Sequence, residues 1–213
     1  MKKIAAMRED YMLKSLDIKD VLADPFSQFK VWFDEALNSD IPEPNAMTLA
    51  TASGEGYPSA RVVLLKGLEK DGFVFYTNYK SRKGQEMSEN PHVALVFCWL
   101  ELQRQILIEG TVAKITKKQS EEYFQSRPRE SQIGAWSSPQ STPIHDRQVL
   151  VDNVDAIEKQ FEGIAQLPLP KFWGGYIVKP TAIEFWQGRS SRLHDRIRYR
   201  KVKRSWKIER LAP

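Results

Sequence analysis

The stretch HVALVFCWLELQRQILIEGTVAKI, residues 92–115, decides the fold class of this chain. It contains two runs rich in β-branched and aromatic residues, 92–100 and 105–115, with only a short polar break between them. Such runs are typical of β-strands. The break is too short for a helical crossover, so the two strands are predicted to be antiparallel neighbours.

The same pattern continues on both sides of this pair. Turn signals such as Asp71-Gly72 separate the runs. Further strands are predicted at 47–52, 60–66, 73–78, 173–178, 182–187, 196–200 and 205–210. Helices are predicted from the cap Asp24-Pro25 to about Asn38, from Ser81 to about Asn90, at 117–126, and from about 144 to 161. About eight strands with helices at their ends predict an α+β fold, mainly an antiparallel barrel with flanking helices.

Composition limits the function classes. The 213 residues are 41% hydrophobic and 28% charged, which suits one domain with a substantial core. Residues 1–22 form a polar lead-in, expected to be partly flexible, and 23–213 form the single domain. No run approaches the roughly 20 apolar residues that span a bilayer, and the polar start leaves no room for a signal peptide. Cys98 is the only cysteine, so we expect no internal disulfide and a cytoplasmic location.

The positive charge is concentrated near the end of the chain. Residues 189–210 hold ten basic and two acidic side chains, a net +8 in a chain whose total is +5. A tail of this kind suits nucleic acid or another polyanion. Ile197, Tyr199 and Trp206 interleave with the charges, which favours folded strands over a disordered arm. A small phosphate ligand would be served equally well, so composition leaves both kinds of partner open.

Several common site motifs are missing from the sequence. There is no phosphate-binding P-loop, and Gly54-Glu55-Gly56 lies between predicted strands without the third glycine of a dinucleotide site. The three histidines and Cys98 have no metal-ligand spacing, so no metal is expected. There is no G-x-S-x-G nucleophile motif, although a Ser/His/Asp triad stays open. If the chain is an enzyme, a bound cofactor is expected to carry out the difficult step.

Two stretches in the first half are candidates for anion binding. Arg61 and Lys66 begin and end the predicted strand 61–66 and point to opposite faces of it; a buried strand with solvated ends is the alternative. Residues 75–83 place a strand end, a hydroxyl, Arg82 and Lys83 at a helix start, which suits a phosphate. An ordinary capped surface helix explains this second stretch equally well.

Two further stretches lie later in the chain. Residues 123–131 combine a phenol, two guanidinium groups and a serine, and either a second phosphate site or a polar helix-end loop accounts for them. In an alternating strand Arg192, His194 and Arg196 would share one face. Like charges so close are costly unless an anion or a carboxylate lies among them. This cluster is the strongest indication of a site that the residues alone provide.

At these stretches the sequence closely resembles the pyridoxine (pyridoxamine) 5′-phosphate oxidase family. The similarity begins at Arg8 and Tyr11 and covers nearly the whole chain in order. The segments that carry it are RVVLLK (61–66), FYTNYKSRK (75–83), YFQSRPRESQIGAW (123–136), PLPKFWGGY (168–176), EFWQGRSSRLHDR (184–196) and WKIERLAP (206–213). One departure is Ser191, where a larger polar residue such as Asn or His is expected.

The resemblance implies a split β-barrel and a homodimer with FMN at the subunit interface. It implies oxidation of pyridoxine or pyridoxamine 5′-phosphate by O2 to pyridoxal 5′-phosphate, with release of H2O2, and of NH3 from the amine, in vitamin B6 metabolism. The lead-in would then cover the active site. The implied FMN contacts are Arg61, Val62, Val63, Leu64, Leu65, Lys66, Tyr76, Thr77, Arg82, Lys83, Gln105, Gln140, Ser141, Trp186 and Arg196. The implied substrate contacts are Arg8, Tyr11, Lys66, Tyr123, Arg127, Ser131, Arg192 and His194.

In this reading Arg192 and His194 are the catalytic pair, which holds the pyridine ring and handles the proton leaving the C4′ substituent. Neither nucleic acid nor a membrane is expected as a partner. Three alternatives stay open: another split-barrel flavin reductase or oxidase, a nucleic-acid-binding module that uses the basic tail, and a pyridoxal phosphate carrier without catalysis.

Overall fold

The computed structural model describes Ile4 and residues 10–213, and these residues form one curled antiparallel sheet with helices around it. The strands are β1 Ala46–Ala52, β2 Pro58–Leu64, β3 Gly67–Glu69, β4 Gly72–Asn78, β5 His92–Trp99, β6 Arg104–Lys114, β7 Trp173–Gln187, β8 Asp195–Val202 and β9 Ser205–Leu211. The helices are α1 Pro25–Leu37, α2 Arg82–Glu89, α3 Lys117–Ser126, α4 Arg129–Ser137 and α5 Gln148–Gln160.

The sheet runs β2-β1-β5-β6-β7-β4-β3, with β8 and β9 added beside β7. The long strand β7 makes this branching possible, because its first part pairs with β4 and its second part with β8 while β6 follows it on the other side. All of these pairings are antiparallel. The sequence prediction of an α+β fold built on an antiparallel sheet is confirmed.

Two hydrophobic clusters support the sheet. In the larger one α1 packs Phe29 and Trp32 against the aromatic rings of Phe73, Phe97 and Phe185 on the strands. The smaller cluster lies under α3, α4 and α5, and consists of Phe124, Ile133, Phe161, Leu167 and Trp173. Both clusters lie next to strand ends that carry candidate site residues.

The helix starts are fixed by local capping. Asp24 accepts a hydrogen bond from the Ser27 N–H, and Pro25 occupies the first turn of α1. Thr116 and Gln119 form a reciprocal capping box at α3. The helix predicted from about 144 begins only at Gln148, because the segment before it is exposed and turns near Asp146, which accepts from the Val149 N–H.

Some predicted elements were wrong in extent or missing. The strands predicted at 173–178 and 182–187 are one strand. Glu109 pairs with Ala182 and Gly110 with Pro180, so Thr181 of β7 is an extra residue, and this bulge beside Pro180 tolerates its missing N–H. A Cβ at Gly110 would clash with the Lys179 carbonyl, so glycine is required there. The short strand β3 and helix α4 were not predicted. Strand β2 ends at Leu64, which leaves Leu65 and Lys66 beyond it.

The prediction that Arg192, His194 and Arg196 share one face of a strand is also wrong. Strand β8 begins only at Asp195, and Ser190–Arg192 form a 3-10 turn. Ser191 and Arg192 have φ values of 55° and 62°, which are incompatible with an extended strand. The alternation rule therefore cannot place these side chains.

The described part of the lead-in packs against the last hairpin. Leu16 is buried, and its N–H donates to the carboxylate of Asp195 at 3.0 Å. The hydroxyl of Tyr199 donates to the carbonyl of Leu22 at 2.6 Å. The basic tail forms strands β8 and β9, as the interleaved apolar residues indicate, and not a free arm.

Candidate active site

A cavity of about 660 Å³ opens between β2, β4 and the helices α2, α3 and α4. Its size lies within the range of small-molecule sites. It collects the candidate residues Arg61, Val62, Val63, Leu64, Lys66, Tyr76, Thr77, Lys83, Tyr123, Arg127, Ser131 and Gln140. It is also lined by Asn78, Gly134, Ala135, Ser138 and Trp173, which were not among the predicted site residues. Both proposed phosphate stretches thus meet in one cavity, although they are far apart in sequence.

Lys83 provides a cation in this cavity. Its Nζ lies 3.4 Å from Oγ1 of Thr77 and 3.3 Å from Oε1 of Gln140. The pKa of Lys83 is lowered by burial and then by the neighbouring Arg61 guanidinium. Both effects would be offset by an anion bound beside the ammonium group. The surroundings of Lys83 therefore favour a negatively charged ligand.

Arg61 is paired with a buried carboxylate, that of Glu86 on α2. The guanidinium of Arg61 donates to Glu86 at 3.2 Å and also to the hydroxyls of Thr51 and Ser59. Both hydroxyls donate in turn to Glu86, at 2.5 and 2.6 Å. Although burial acts to raise it, the pKa of Glu86 is lowered to about 2 by hydrogen bonds from Ser59, Thr51, Arg82 and Arg61. Glu86 thus stays ionised and fixes the direction of the Arg61 side chain.

Arg82 belongs to the same network and not to the cavity wall. Its Nε donates to Glu86 at 2.8 Å, and its exposed side chain does not line the cavity. The i,i+4 spacing of Arg82 and Glu86 on one helix was a sequence signal for this pair. The predicted site residues included the cation Arg82 but not the carboxylate Glu86 that positions it.

Aromatic rings and a second cation form another part of the cavity. The rings of Tyr76 and Tyr123 stack with centroids 3.7 Å apart, and Trp173 stacks on Tyr76 at 5.5 Å. Burial raises the pKa of Tyr76 to about 12, so its hydroxyl is protonated at neutral pH. The guanidinium of Arg127 lies over Trp173, 4.8 Å from the ring centroid.

Arg127 has an unsatisfied group. Its Nη1 atom is buried without a hydrogen-bond partner among the described residues. Burial lowers the pKa of Arg127, with Tyr123 opposing that shift, so the charged form is left undercompensated. Buried donors of this kind are rare and need an explanation. Ser131, in the first turn of α4, lines the same cavity and would supply a hydroxyl to the same ligand.

The remaining candidates form a second group on β6, β7 and β8. Gln105, Trp186 and Arg196 are cross-strand neighbours in one row. Tyr11 and His194 pack against the indole of Trp186, with ring centroids 6.1 and 4.5 Å from it. None of this group lines the cavity formed by the described residues, and neither do Leu65, Ser141 and Arg192. Leu65 is buried in the core, and Arg8 lies outside the described residues.

Cations in the second group are paired within the chain. Arg196 donates to both oxygens of the buried Glu184, at 2.7 and 3.0 Å, and this pair raises the pKa of Arg196. On β9, Glu209 pairs with Lys207 and Arg198, and the pKa of its carboxyl is lowered to about 2. Glu209 is already counted in the net +8 of residues 189–210, so of these two carboxylates only Glu184 offsets a further charge, and the tail stays positive.

Two classes of feature are missing from the described part of the chain. No group of three or more His, Cys, Asp or Glu side chains is arranged there to hold a metal ion. No helix within Ile4 and residues 10–213 is both long and apolar enough to cross a membrane.

Comparison with known families and curated proteins gives matches over the whole chain. Residues 33–161 match the family model described as pyridoxamine 5′-phosphate oxidase, and residues 173–213 match the pyridoxine 5′-phosphate oxidase C-terminal dimerisation region. A pyridoxine/pyridoxamine 5′-phosphate oxidase of Salinibacter ruber is 53% identical over 100% of both chains. One of Leptospira interrogans, with the same name, is 54% identical over 99% of both.

Solved structures show the same fold. PhzG from Burkholderia lata 383, in complex with tetrahydrophenazine-1-carboxylic acid, superposes with a TM-score of 0.87 at 30% identity. The match covers 94% of this chain and 99% of that one. A pyridoxamine 5′-phosphate oxidase-related, FMN-binding protein from Nostoc punctiforme matches with a TM-score of 0.69 at 15% identity, over 91% of this chain and 100% of that one. The curled sheet described above is therefore a split barrel.

Proposed function

Because the chain belongs to the pyridoxamine 5′-phosphate oxidase family, we propose that it oxidises pyridoxine or pyridoxamine 5′-phosphate to pyridoxal 5′-phosphate. FMN is the cofactor and O2 the final acceptor, so that H2O2 is released, together with NH3 from the amine. The observation that carries this proposal is the cavity, which brings four cations, Arg61, Lys66, Lys83 and Arg127, together with a stack of aromatic rings. Two phosphorylated ligands, one flavin and one substrate, match that arrangement. A cytoplasmic location is part of the same proposal.

The residues present fit FMN. Lys83, Thr77 and Gln140 offer an ammonium group and polar side chains within 3.5 Å of one another, and Arg61 stands next to them. We assign this group to the FMN phosphate, because charge-assisted hydrogen bonds suit a dianion. When bound, FMN supplies the two-electron acceptor for the oxidation at C4′.

The substrate phosphate is assigned to the other cationic part of the cavity. Arg127 has a buried Nη1 that donates to no described residue, and Lys66, Tyr123 and Ser131 line the same space. A phosphate at this point would satisfy the guanidinium and would also accept from the two hydroxyl groups. The stacked rings of Tyr76 and Tyr123 form an aromatic part of the wall of the same cavity.

The second group of residues is assigned to the same active site through dimerisation. The family match makes residues 173–213 a dimerisation region. Two features support an interface over the cavity: Arg192 and His194 do not line it within one chain, and Val62 of the edge strand β2 is 67% exposed. In a homodimer this second group of one subunit, together with Arg192 (the Trp186–Arg196 group), would complete the cavity of the other. Arg192 and His194 would then hold the pyridine ring in place for oxidation.

The visible spectrum of the purified protein tests the proposal. We expect flavin absorption that bleaches when pyridoxine 5′-phosphate is added without oxygen and returns when air is admitted. Pyridoxine without its phosphate is the control, and at equal concentration it should bleach the flavin far more slowly. A colourless protein, or a flavin that pyridoxine and pyridoxamine phosphates leave oxidised, would contradict the proposed function.

A further inference from the structure

His194 is fixed by a main-chain hydrogen bond within its own turn. The N–H of Arg189 donates to Nδ1 of His194 at 3.1 Å. Between them the chain reverses through the 3-10 turn Ser190–Arg192, which a second main-chain bond, from Leu193 N–H to Ser190 carbonyl, closes at 3.1 Å. The partner of Nδ1 is therefore a group that can only donate and that does not titrate.

This partner decides where the imidazole carries its hydrogen. In a neutral ring one nitrogen donates and the other accepts, and the bond made by one nitrogen sets the role of the other. We infer that the main-chain N–H of Arg189 holds His194 as the Nε2–H tautomer. His194 then serves as a hydrogen-bond donor to an oxygen of the bound substrate, and not as the base that receives the proton from the C4′ substituent. The donor role rests on the proposed function, which brings the substrate to His194.

The surroundings of Nδ1 are the reverse of those in a general-base histidine. In that arrangement Nδ1–H donates to a carboxylate and the lone pair of Nε2 takes the proton. Asp195 follows His194 directly, but its oxygens are engaged elsewhere. They accept from the Leu16 N–H at 3.0 Å and from Nη1 of Arg210 at 2.8 Å. The adjacent carboxylate therefore does not orient the ring for proton abstraction.

Packing keeps the ring in this orientation. The imidazole contacts the rings of both Trp186 and Tyr11, with centroid distances of 4.5 and 6.0 Å, and these two rings also contact each other at 6.1 Å. Tyr11 can approach because residue 188 is glycine, and a Cβ there would lie 2.8 Å from the tyrosine ring. No described residue forms a hydrogen bond with Nε2, which leaves this donor for a ligand.

Nitrogen NMR on the FMN-loaded full-length protein tests the tautomer without measuring activity. The chain has only three histidines, and the exposed His92 and His145 can be assigned with His92→Gln and His145→Gln variants. The spectra are recorded at about pH 8.5, where a free imidazole is neutral. We expect a protonated-type shift at Nε2 of His194 and an unprotonated-type shift at Nδ1. The opposite pattern would overturn the inference.

Two substitutions test the donor role. His194→Gln places an amide N–H near the position of Nε2, whereas His194→Asn reaches only that of Nδ1. Loss of one hydrogen bond to a charged or polar ligand corresponds to about 10- to 100-fold in kcat/KM, expected for Asn, while Gln should retain about tenfold more activity than Asn because its N–H can still donate. A general base would make both variants lose about 10²- to 10⁴-fold, which would overturn the donor role. If the wild-type protein itself does not turn over, the proposed function fails and the donor role fails with it, while the tautomer is still decided by NMR.

Discussion

Arg127 and Arg196 are both candidate ligand-binding arginines, but the protein surrounds them in opposite ways. Arg127 faces the cavity with a buried Nη1 that has no partner among the described residues, whereas both oxygens of the buried Glu184 hold Arg196. A cation without a carboxylate partner in the protein is suited to binding a ligand, because the ligand must supply its counter-charge. A cation that is paired within the protein is held in place, and it helps to fix the positions of the residues around it. The cavity group and the Trp186–Arg196 group therefore have different tasks.

The largest effect on turnover is expected from a substitution in the Trp186–Arg196 group. If this group acts on the reaction and not on cofactor binding, turnover should fall while FMN stays bound. Arg192→Ala should lower kcat by about 10²- to 10³-fold, because a positioned cation at the reacting centre is lost. FMN absorbance per protein should not change. Steady-state kinetics and the flavin spectrum measure the two quantities separately.

Arg200→Ala is the matched control for this variant. Arg200 lies on the same hairpin, is half-exposed and is only 3.6 Å from Glu209 in a loose pair. It should keep wild-type turnover. If Arg192→Ala also keeps it, Arg192 has no part in the mechanism.

Stability measurements should separate Arg127 from Arg196 directly. Arg196→Met leaves Glu184 buried without its partner, which should cost about 2–4 kcal/mol in the free energy of unfolding. Arg127→Met removes an unpaired buried donor and keeps an apolar stem over Trp173, so the free energy of unfolding should change by less than about 1 kcal/mol. Urea unfolding of both apoproteins measures the contrast.

The same pair of variants gives a second readout. Arg127→Met should raise the KM for pyridoxine 5′-phosphate by about 10- to 100-fold, because one charge-assisted contact to the phosphate is lost. If Arg127→Met and Arg196→Met lowered the free energy of unfolding equally, the distinction between a ligand-binding Arg127 and a structural Arg196 would not hold.

The sequence predicted the parts of this molecule that depend on local pattern. Alternating apolar runs located nearly all of the strands, and the caps Asp24, Ser81 and Thr116 begin helices within the predicted segments. Family similarity named the residues that meet in the cavity, although they come from five different elements. From residue spacing alone, each stretch of basic residues could also be explained as ordinary structure without a ligand site.

The missed features depend on contacts that are distant in sequence or on unusual backbone. Pro180 lies in the gap between the two strands predicted there, but a bulge at Thr181 of the same strand accommodates it. The i,i+4 spacing on α2 indicates the pair of Glu86 with Arg82, but nothing in the sequence indicates that Glu86 also pairs with Arg61 on β2. The positive φ at Arg192 cannot be read from residue type, because only the tight turn requires it.

Arg61 is the exception within the cavity group, because it lines the cavity and yet is paired with Glu86. The pKa of Glu86 is about 2, below its ordinary 4.5. A carboxyl with a lowered pKa stabilises the fold above about pH 4.5 and loses that contribution as the pH falls toward 2. Glu86→Gln should therefore cost about 2 kcal/mol at neutral pH, and the gap to wild type should narrow with acid. Unfolding free energies between pH 7 and about 3 measure this.

Glu209→Gln is the control, since the pKa of Glu209 is lowered to a similar value but by pairs near the surface. Solvent screens such pairs, so its effect on stability should be small at every pH. A gap for Glu86→Gln that does not vary with pH would show that the ionised carboxylate is not what holds Arg61.

The smallest expected effect is on the stability of the turn that contains Ser191, within the Trp186–Arg196 group. Ser191 has φ 55° and ψ 22°, a left-handed conformation that Asn adopts more readily than Ser. Ser191→Asn should therefore stabilise the turn by about 0.5 kcal/mol and leave His194 in its tautomer. Thermal unfolding measures the stability, and Ser190→Asn, one residue earlier, is the control that should gain nothing. Since the Arg189–His194 hydrogen bond spans this turn, a stabilised turn with unchanged kcat would mean that the wild-type backbone already holds His194 firmly. A rise in kcat together with stability would mean instead that the wild-type turn is partly open in a form that does not support turnover, and that the Trp186–Arg196 group is less rigid than its pairing suggests.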